Sequence, residues 1–292
     1  MGTALAGRLI AAGYQVEGVD PAPRERSPCP VHTSIEDAVA NARPSFQAAI
    51  ASLPSPVELL DSITRLLALP PEQVPRYFVN LSTIGSEAAE HAAARFARPG
   101  LRTYVEAPVT GGVLRAAEGR AAILLGSTDD VGQELLALLD RLARRVLHVG
   151  SVTDASKVKL INNFIAIANT FVAVEGLRLA ARLGLDPLET RRLLEDGTAD
   201  SYVLRSTVQR PMTTGDLSTG FALRLALKDM LLLREALGAE RAELLAAVIE
   251  MLASGAGRGQ GDYVFPVAAL GSIPGQVSAW ACAERAVSTQ NG

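Results

Sequence analysis

Short apolar runs alternate with amphipathic segments through the first half of the chain, which predicts strands and helices in turn. The amphipathic segments predict helices at 1–10, 33–40, 86–98 and 129–142. The apolar runs predict strands at 14–19, 46–53, 77–81, 102–106, 121–125 and 146–149. Runs that are apolar on both faces are typical of a parallel sheet covered by helices. The first half is therefore predicted to be α/β, a doubly wound sheet of the Rossmann type.

The second half has a different pattern, because its apolar positions recur at helical spacing and no strand alternation follows Val149. Residues 157–183 contain no proline and one glycine, which predicts a long buried helix of about seven turns. Asp186 before Pro187 is a helix start, and further helices are predicted at 221–237, 239–253 and 274–286. We therefore predict two domains, residues 1–150 and an all-α domain at 151–292.

The long helix begins with polar residues although the rest of it is apolar. Lys159, Asn162 and Asn163 are three or four positions apart, so they share one face where the helix enters the core. Buried ammonium and amide groups need partners, and a ligand or a water-filled cleft is the expected partner when no carboxylate has the matching spacing. A small-molecule site is predicted near the domain boundary, where such sites are common.

Composition narrows the possible classes of protein. A chain of 292 residues with 48% hydrophobic and 20% charged residues suits two soluble domains. The net charge of −3, with no basic run, argues against nucleic-acid binding, and the longest apolar run is too short for a membrane span. The two cysteines and the absence of a signal peptide predict a cytoplasmic protein. The three histidines lack metal-ligand spacing, so no metal site is predicted.

Three glycine-bearing or charged motifs are candidates for chemistry. Thr110, Gly111 and Gly112 follow the strand that ends at Glu106, and they form either an anion-binding concavity or an ordinary turn. Lys228-Asp229 lies in an apolar helical segment, where it is either functional or part of a solvated face. The segment 257–262 is similar to a phosphate loop, but it follows a helix and is predicted to be a flexible loop.

The first residues bear on dinucleotide binding. The fingerprint G-x-G-x-x-G follows a first strand, and the chain has only Met1-Gly2 as its possible last positions. Asp20 then stands at the end of the second strand, where an acid binds an adenosine ribose, although Asp20-Pro21 also reads as a turn. Without the central first strand, two strand edges are left without partners. We expect Met1 to be an internal methionine of a longer natural protein.

Together these segments resemble the β-hydroxyacid dehydrogenase family, which includes enzymes of 3-hydroxyisobutyrate and tartronate semialdehyde. The resemblance covers nearly the whole chain in order. K-x-x-N-N at 159–163 is the most specific motif, and D-A-P-V-S-G-G is matched with Glu106 for Asp and Thr110 for Ser. The other matches are Met1-Gly2, Leu53-Pro54, Ser82-Thr83, Lys228-Asp229 and G-x-G-x-x-D at 257–262.

The resemblance implies a role for each matched residue. Lys159 is the implied general acid/base, and Asn163 orients the substrate. Thr110, Gly111, Gly112 and Asn162 are the implied substrate-binding residues. The implied cofactor-binding residues are Met1, Gly2, Asp20, Leu53, Pro54, Thr83, Lys228 and Asp262. The implied reaction transfers a hydride between a small 3-hydroxy acid, or its semialdehyde, and a nicotinamide cofactor.

The chemistry agrees with these roles. Hydride leaves a carbinol carbon only as the hydroxyl proton is removed, and a lysine serves as this base near neutral pH when burial lowers its pKa. Asp20 favours NAD, because a carboxylate repels the 2′-phosphate of NADP, and Arg24 keeps NADP possible. The resemblance also implies a homodimer or homotetramer.

Three alternatives stay open at this point. Phosphogluconate dehydrogenases have the same layout but carry K-x-x-H-N, and Asn162 argues against them. Imine reductases replace the lysine by Asp or Tyr, and Lys159 argues against those. The third is a different class of protein, a catalytically silent homologue that acts as a binding or oligomeric protein.

Overall fold

The computed structural model of the chain describes residues 1–23, 27–40, 46–96, 102–127, 131–214, 216, 220–256 and 261. It divides into two compact units, the first being Met1–Ile161 and the second beginning at Asn162. The division falls inside the long helix, whereas the sequence prediction puts the boundary at residue 150. The first turn of the helix packs in the first unit, where Val152 joins a buried core and Ala155 lies against Gly126.

Strands and helices alternate through the first unit as predicted, and the unit also contains two helices that the sequence prediction did not include, Pro56–Leu67 and Gly112–Ala117. The helices are α1 (Gly2–Ala11), α2 (Ile35–Ala40), α3 (Pro56–Leu67), α4 (Ser86–Phe96), α5 (Gly112–Ala117) and α6 (Gln133–Leu142). The strands are β1 (Gly18–Val19), β2 (Val31–His32), β3 (Ala48–Ala51), β4 (Tyr77–Asn80), β5 (Thr103–Glu106), β6 (Val109–Thr110), β7 (Ala122–Gly126) and β8 (Arg145–Gly150).

The larger sheet is mixed rather than wholly parallel. Strands β3, β4 and β5 are parallel, and so are β7 and β8, but β7 runs antiparallel to both β5 and β6. A parallel pair needs a crossover of a dozen or more residues. The helix between β6 and β7 has only 6 residues and rises about 9 Å, so it does not carry the chain back along the sheet.

Among the described residues, β1 and β3 each have one edge without a partner strand. Strand β1 pairs only with β2, and β3 pairs only with β4, so β1–β2 is a separate two-stranded sheet. Strand β4 is buried along its whole length, whereas three of the four residues of β3 are only half-buried. Strand edges without partners were predicted from the sequence, and β1 and β3 have them.

Helices cover both faces of the sheet, as the doubly wound prediction requires. Val79 of β4 lies in one core with Leu5 and Leu9 of α1, and Phe78 lies in the other with helices α3 and α4. Helix α2 begins two residues later than the predicted 33–40, and Ser34 accepts the hydrogen bond from a first-turn amide, that of Asp37.

The second unit is helical, and its described residues contain no strand. Helix α7 spans Val152–Arg182 and has 31 residues. Asp186 caps the next helix by accepting a hydrogen bond from the Glu189 amide at 2.8 Å, as predicted. The later elements are α8 (Pro187–Leu194), a π-helical turn (Val203–Thr207), α9 (Gln209–Thr214), α10 (Leu223–Leu237) and α11 (Glu243–Ala256). The helix predicted at 274–286 lies outside the described residues.

Helix α7 was predicted to be buried, and this is wrong for one of its faces. Ile165, Val172 and Leu179 are exposed, and their spacing of seven residues makes one stripe, the α7 stripe. The helix is also long and apolar enough to cross a membrane, which core helices of soluble proteins often are. Periodicity in the sequence could not reveal this exposed face, because almost every position beyond Asn163 is apolar.

Candidate active site

Predicted cofactor residues gather where β3 and β4 end. Helix α1 begins at Gly2, and a Cβ added to Gly2 would lie 3.7 Å from the Ser52 Cβ just beyond β3. The Leu53 amide donates a hydrogen bond to Ser82 Oγ at 2.8 Å, which joins the segments that follow the two strands. Met1, Pro54 and Thr83 flank these residues along the chain. Ligands bind beyond the carboxyl ends of such strands, and helix N-termini attract phosphate oxygens.

Asp20 follows β1 and is exposed. Its Oδ1 accepts a hydrogen bond from the Ala22 amide at 2.9 Å, and its own amide donates to the His32 carbonyl oxygen at 3.0 Å. The first bond is the one expected of the turn interpretation. Because this bond uses only Oδ1 of Asp20, the other carboxylate oxygen can accept a hydrogen bond from a ribose hydroxyl. The turn and the ribose-binding interpretations are therefore compatible. Arg24 lies outside the described residues.

The predicted substrate loop follows β6. Thr110 ends that strand and is half-buried, while Gly111 and Gly112 are exposed with φ angles of 117° and 77°. Both angles lie in the left-handed region, which favours glycine. A Cβ on Gly112 would have no heavy atom within 4 Å, whereas one on Gly111 would lie 3.4 Å from the Ala121 Cα. The exposed surface at Gly112 has room for a ligand.

Glu106, at the start of this motif, is completely buried. Tyr104 Oη lies 2.5 Å from Glu106 Oε2, and Asn80 Nδ2 donates to both carboxylate oxygens at 3.1 and 3.0 Å. Burial raises the pKa of Glu106 from 4.5 to about 8, although these bonds act in the opposite direction. Burial and the neighbouring Glu106 also raise the pKa of Tyr104. At neutral pH the Glu106 side chain is therefore mostly a neutral acid.

Lys159 lies in the third turn of α7 and is 8% exposed. Lys159 is therefore buried, as predicted for a polar residue at the point where the helix enters the core. Asn163 is four residues further along the same helix and is 9% exposed, so the two side chains project from one face. Lys157, two residues before Lys159, is exposed.

A chain of polar contacts in the second unit joins the other predicted residues. Asn162 Nδ2 donates to Asn163 Oδ1 at 3.1 Å, and Asn163 Nδ2 donates to Asp229 Oδ2 at 2.6 Å. Lys228 Nζ lies 2.8 Å from Asp229 Oδ1, at ion-pair distance although outside hydrogen-bonding geometry. Asp229 is 2% exposed, so the solvated-face interpretation of Lys228-Asp229 is wrong. The second unit therefore brings Asn162-Asn163 and Lys228-Asp229 together through a buried carboxylate.

Two sequence models of known families cover most of the chain. The NAD binding domain of 6-phosphogluconate dehydrogenase matches residues 1–150, and the NAD-binding domain of NADP-dependent 3-hydroxyisobutyrate dehydrogenase matches residues 153–265. The chain belongs to the β-hydroxyacid dehydrogenase family. Its Rossmann-type unit and helical second unit are those of this family.

Individual known proteins match this chain to different extents. An uncharacterized oxidoreductase of Synechocystis is 32% identical over 158 residues, which are 54% of each chain. A probable 3-hydroxyisobutyrate dehydrogenase of Mycobacterium bovis is 27% identical over 250 residues, 82% of this chain and 83% of that one. The solved 3-hydroxyisobutyrate dehydrogenase of Mycobacterium tuberculosis with L-serine has a TM-score of 0.74 at 26% identity, covering 92% and 95%. The chain spans about half the length of the first of these relatives.

The sequence prediction missed one residue of this chain of polar contacts in the second unit. Asp229 was noticed as part of K-D, but only Lys228 was taken as a site residue. A carboxylate inside an apolar helical segment was the available signal, because such a group needs buried partners. Asp262, the other predicted cofactor residue of this half, lies outside the described residues.

Proposed function

We propose that this chain is an oxidoreductase that transfers a hydride between a small 3-hydroxy acid, or its semialdehyde, and NAD, with NADP as a possible second cofactor. The observation that carries this proposal is the array of the buried Asn163 and Asp229 with the half-buried Lys228. Burying a carboxylate and an amide is costly unless they are paired, and here the pairing also holds the Asn163 amide in one orientation. The buried Lys159, which lies on the same helix as Asn163, is the group proposed to exchange a proton with the substrate.

Each residue has a defined task in the proposed reaction. Lys159 Nζ accepts the hydroxyl proton of the acid during oxidation and returns it during reduction. Asp229 orients the Asn163 amide, and this amide in turn holds the substrate hydroxyl. Thr110 and the amides of Gly111 and Gly112 bind the substrate carboxylate. The nicotinamide ring supplies the hydride acceptor when the cofactor is bound.

The dinucleotide fits the edge of the first unit. Gly2, at the start of α1, has no side chain to occupy the space beside the end of β3. Leu53 and Pro54 follow β3, and Thr83 follows the neighbouring strand β4. The carboxylate of Asp20 favours the ribose hydroxyls of NAD over the phosphate of NADP. NADP is the alternative, because residues 153–265 match a family model of an NADP-dependent 3-hydroxyisobutyrate dehydrogenase.

A substrate and cofactor screen tests the proposal directly. Small 3-hydroxy acids are supplied with NAD or NADP, and formation of the reduced cofactor is followed by its absorbance. We expect turnover of at least one 3-hydroxy acid, with a higher kcat/KM for NAD than for NADP. Absence of turnover and of cofactor binding would favour the silent homologue, while turnover of imines alone would favour an imine reductase.

Gly112→Ala is expected to weaken substrate binding as well as stability. A φ of 77° costs a residue with a Cβ about 1–2 kcal/mol, and the new methyl group would occupy the side where the substrate carboxylate binds. Gly13→Ala is the matched control, because Gly13 also has a positive φ, of 89°, and no neighbour within 4 Å of an added Cβ. Steady-state kinetics should show a raised KM for the acid in Gly112→Ala alone. An equal KM in the two variants would exclude the loop from the site.

We further propose that the protein is a homodimer or homotetramer in which a second copy covers the α7 stripe. Val172, at its centre, is 64% exposed. Val172→Glu is expected to weaken association at least about tenfold, because a buried valine contributes about 1.5–3 kcal/mol and a buried charge is costly. Sedimentation analysis measures this change. Leu193→Glu, at an exposed leucine of α8, is the control and should leave the mass unchanged.

A further inference from the structure

A chain of hydrogen bonds connects the ends of three neighbouring strands in the first unit. The Leu53 amide after β3 donates to Ser82 Oγ at 2.8 Å, and the Ser82 amide after β4 donates to Asn80 Oδ1 at 3.0 Å. Asn80 Nδ2 then donates to the Glu106 carboxyl group at the end of β5. We name the side chains of Ser82, Asn80 and Glu106 the strand-end relay.

The strand-end relay is buried throughout. Asn80 and Glu106 are completely buried, and Ser82 is 6% exposed. The Asn80 amide is used at both ends, since its oxygen accepts from Ser82 and its nitrogen donates to Glu106. These two bonds determine which way the amide points, and a reversed amide would leave buried donors facing donors.

The strand-end relay contacts two backbone segments that lie beyond the ends of their strands. Strand β3 ends at Ala51 and β4 ends at Asn80, so Leu53 and Ser82 lie beyond the regular strand ladder. The Leu53 amide is held by the Ser82 hydroxyl, a side chain from the neighbouring strand. The last backbone bond between the two segments runs from the Leu81 amide to the Ala51 carbonyl oxygen at 2.8 Å, and beyond it the Ser82 hydroxyl joins the segment at Leu53 to the segment at Ser82.

We propose that Ser82, Asn80 and Glu106 are positioning residues for the dinucleotide, which hold Leu53-Pro54 and Ser82-Thr83 in the arrangement that binds it. This inference rests on the proposed function, because it assigns the ligand of these segments. The relay residues need not touch the cofactor themselves. Preorganised backbone avoids the cost of ordering on binding, so loss of the relay reduces cofactor affinity more than the rate of the bound complex.

Ser82→Ala tests the proposal, because it removes the hydroxyl that holds the Leu53 amide and leaves the fold's apolar cores intact. The dissociation constant of NADH is measured by fluorescence titration, and kcat is measured at saturating cofactor. We expect the NADH dissociation constant to rise about five- to tenfold, the loss typical of one hydrogen bond. The kcat value and the KM for the hydroxy acid should stay within about twofold of the wild type, because the relay does not act on the bound complex. Ser82→Thr keeps the hydroxyl and should restore most of the affinity.

Ser62→Ala is the matched control, because Ser62 bonds only within its own helix α3, to the Leu59 carbonyl oxygen. Unchanged NADH affinity in Ser82→Ala, or an equal loss in Ser62→Ala, would overturn the positioning role. Amide hydrogen exchange separates the two proposals, since faster exchange at Leu53 in Ser82→Ala reports the relay without any cofactor. If exchange rises but neither NADH nor NADPH binds the wild type, the proposed function fails and the positioning role fails with it. If the wild type binds NADH and exchange is unchanged, only the relay is refuted.

Discussion

Lys159→Ala is expected to reduce turnover by roughly 10²- to 10⁴-fold, the range contributed by a positioned general acid or base. Lys159 is the buried ammonium of α7, and Asn163 lies on the same helical face one turn further on. Alanine keeps the helix, because it has the highest helix propensity. Steady-state kinetics with the best 3-hydroxy acid of the screen measures the loss, and circular dichroism checks that the fold is retained.

Lys157→Ala provides the control for this prediction. Lys157 is exposed and lies two residues away, about 200° around the helix, so it shares the charge but not the face of Lys159. Its replacement should change kcat by less than about twofold, as expected for a group that does not exchange the substrate proton. A Lys159→Ala variant with near-normal kcat would remove this residue from the chemistry. Equal losses in the two variants would indicate a general effect of charge.

Glu106→Gln is expected to make the stability of the protein less sensitive to pH. The pKa of Glu106 is about 8 in the folded protein against 4.5 in the unfolded chain, so between these values the folded state binds a proton that the unfolded state releases. The free energy of unfolding therefore falls as pH rises through this window, and it changes no further above it. At 1.36 kcal/mol per unit, the whole effect is about 5 kcal/mol at most.

Urea unfolding at pH 5, 7 and 9 measures this difference. Glutamine cannot ionise, so the stability of Glu106→Gln relative to the wild type should increase steadily from pH 5 to pH 9. Glu90→Gln, at an exposed glutamate of α4, should follow the wild type at every pH. Parallel curves for the wild type and Glu106→Gln would show that Glu106 is ionised in the folded protein over the whole range.

Much of the fold could be predicted from local patterns. Apolar runs predicted six of the eight strands found among the described residues, and Asp186 before Pro187 predicted a capped helix that the structure contains. Such features depend on residues close together in sequence, so periodicity and capping rules reach them. The direction of β7 was not predictable in this way, because it depends on how far the short helix α5 carries the chain.

In the candidate site, too, the features that could be predicted are those that depend on neighbouring residues in the sequence. The spacing of Lys159 and Asn163 placed them on one helical face, because a helix has 3.6 residues per turn. The partner of Asn163 came from another helix, 66 residues along the chain, and no local pattern specifies such a pairing. Asp229 was therefore missed, and Lys228 was left between a functional and a solvated interpretation.

Residue types, their spacing and the alternation of strands and helices follow from the sequence alone, and its motifs indicate the family. Which of the polar groups are buried, and which group each one contacts, depends on the tertiary structure. Glu106 is an example, because a glutamate is expected from the sequence to be charged at neutral pH. Burial beside Asn80 and Tyr104 makes it a mostly neutral acid at pH 7, because removing a carboxylate from water costs more than these hydrogen bonds return.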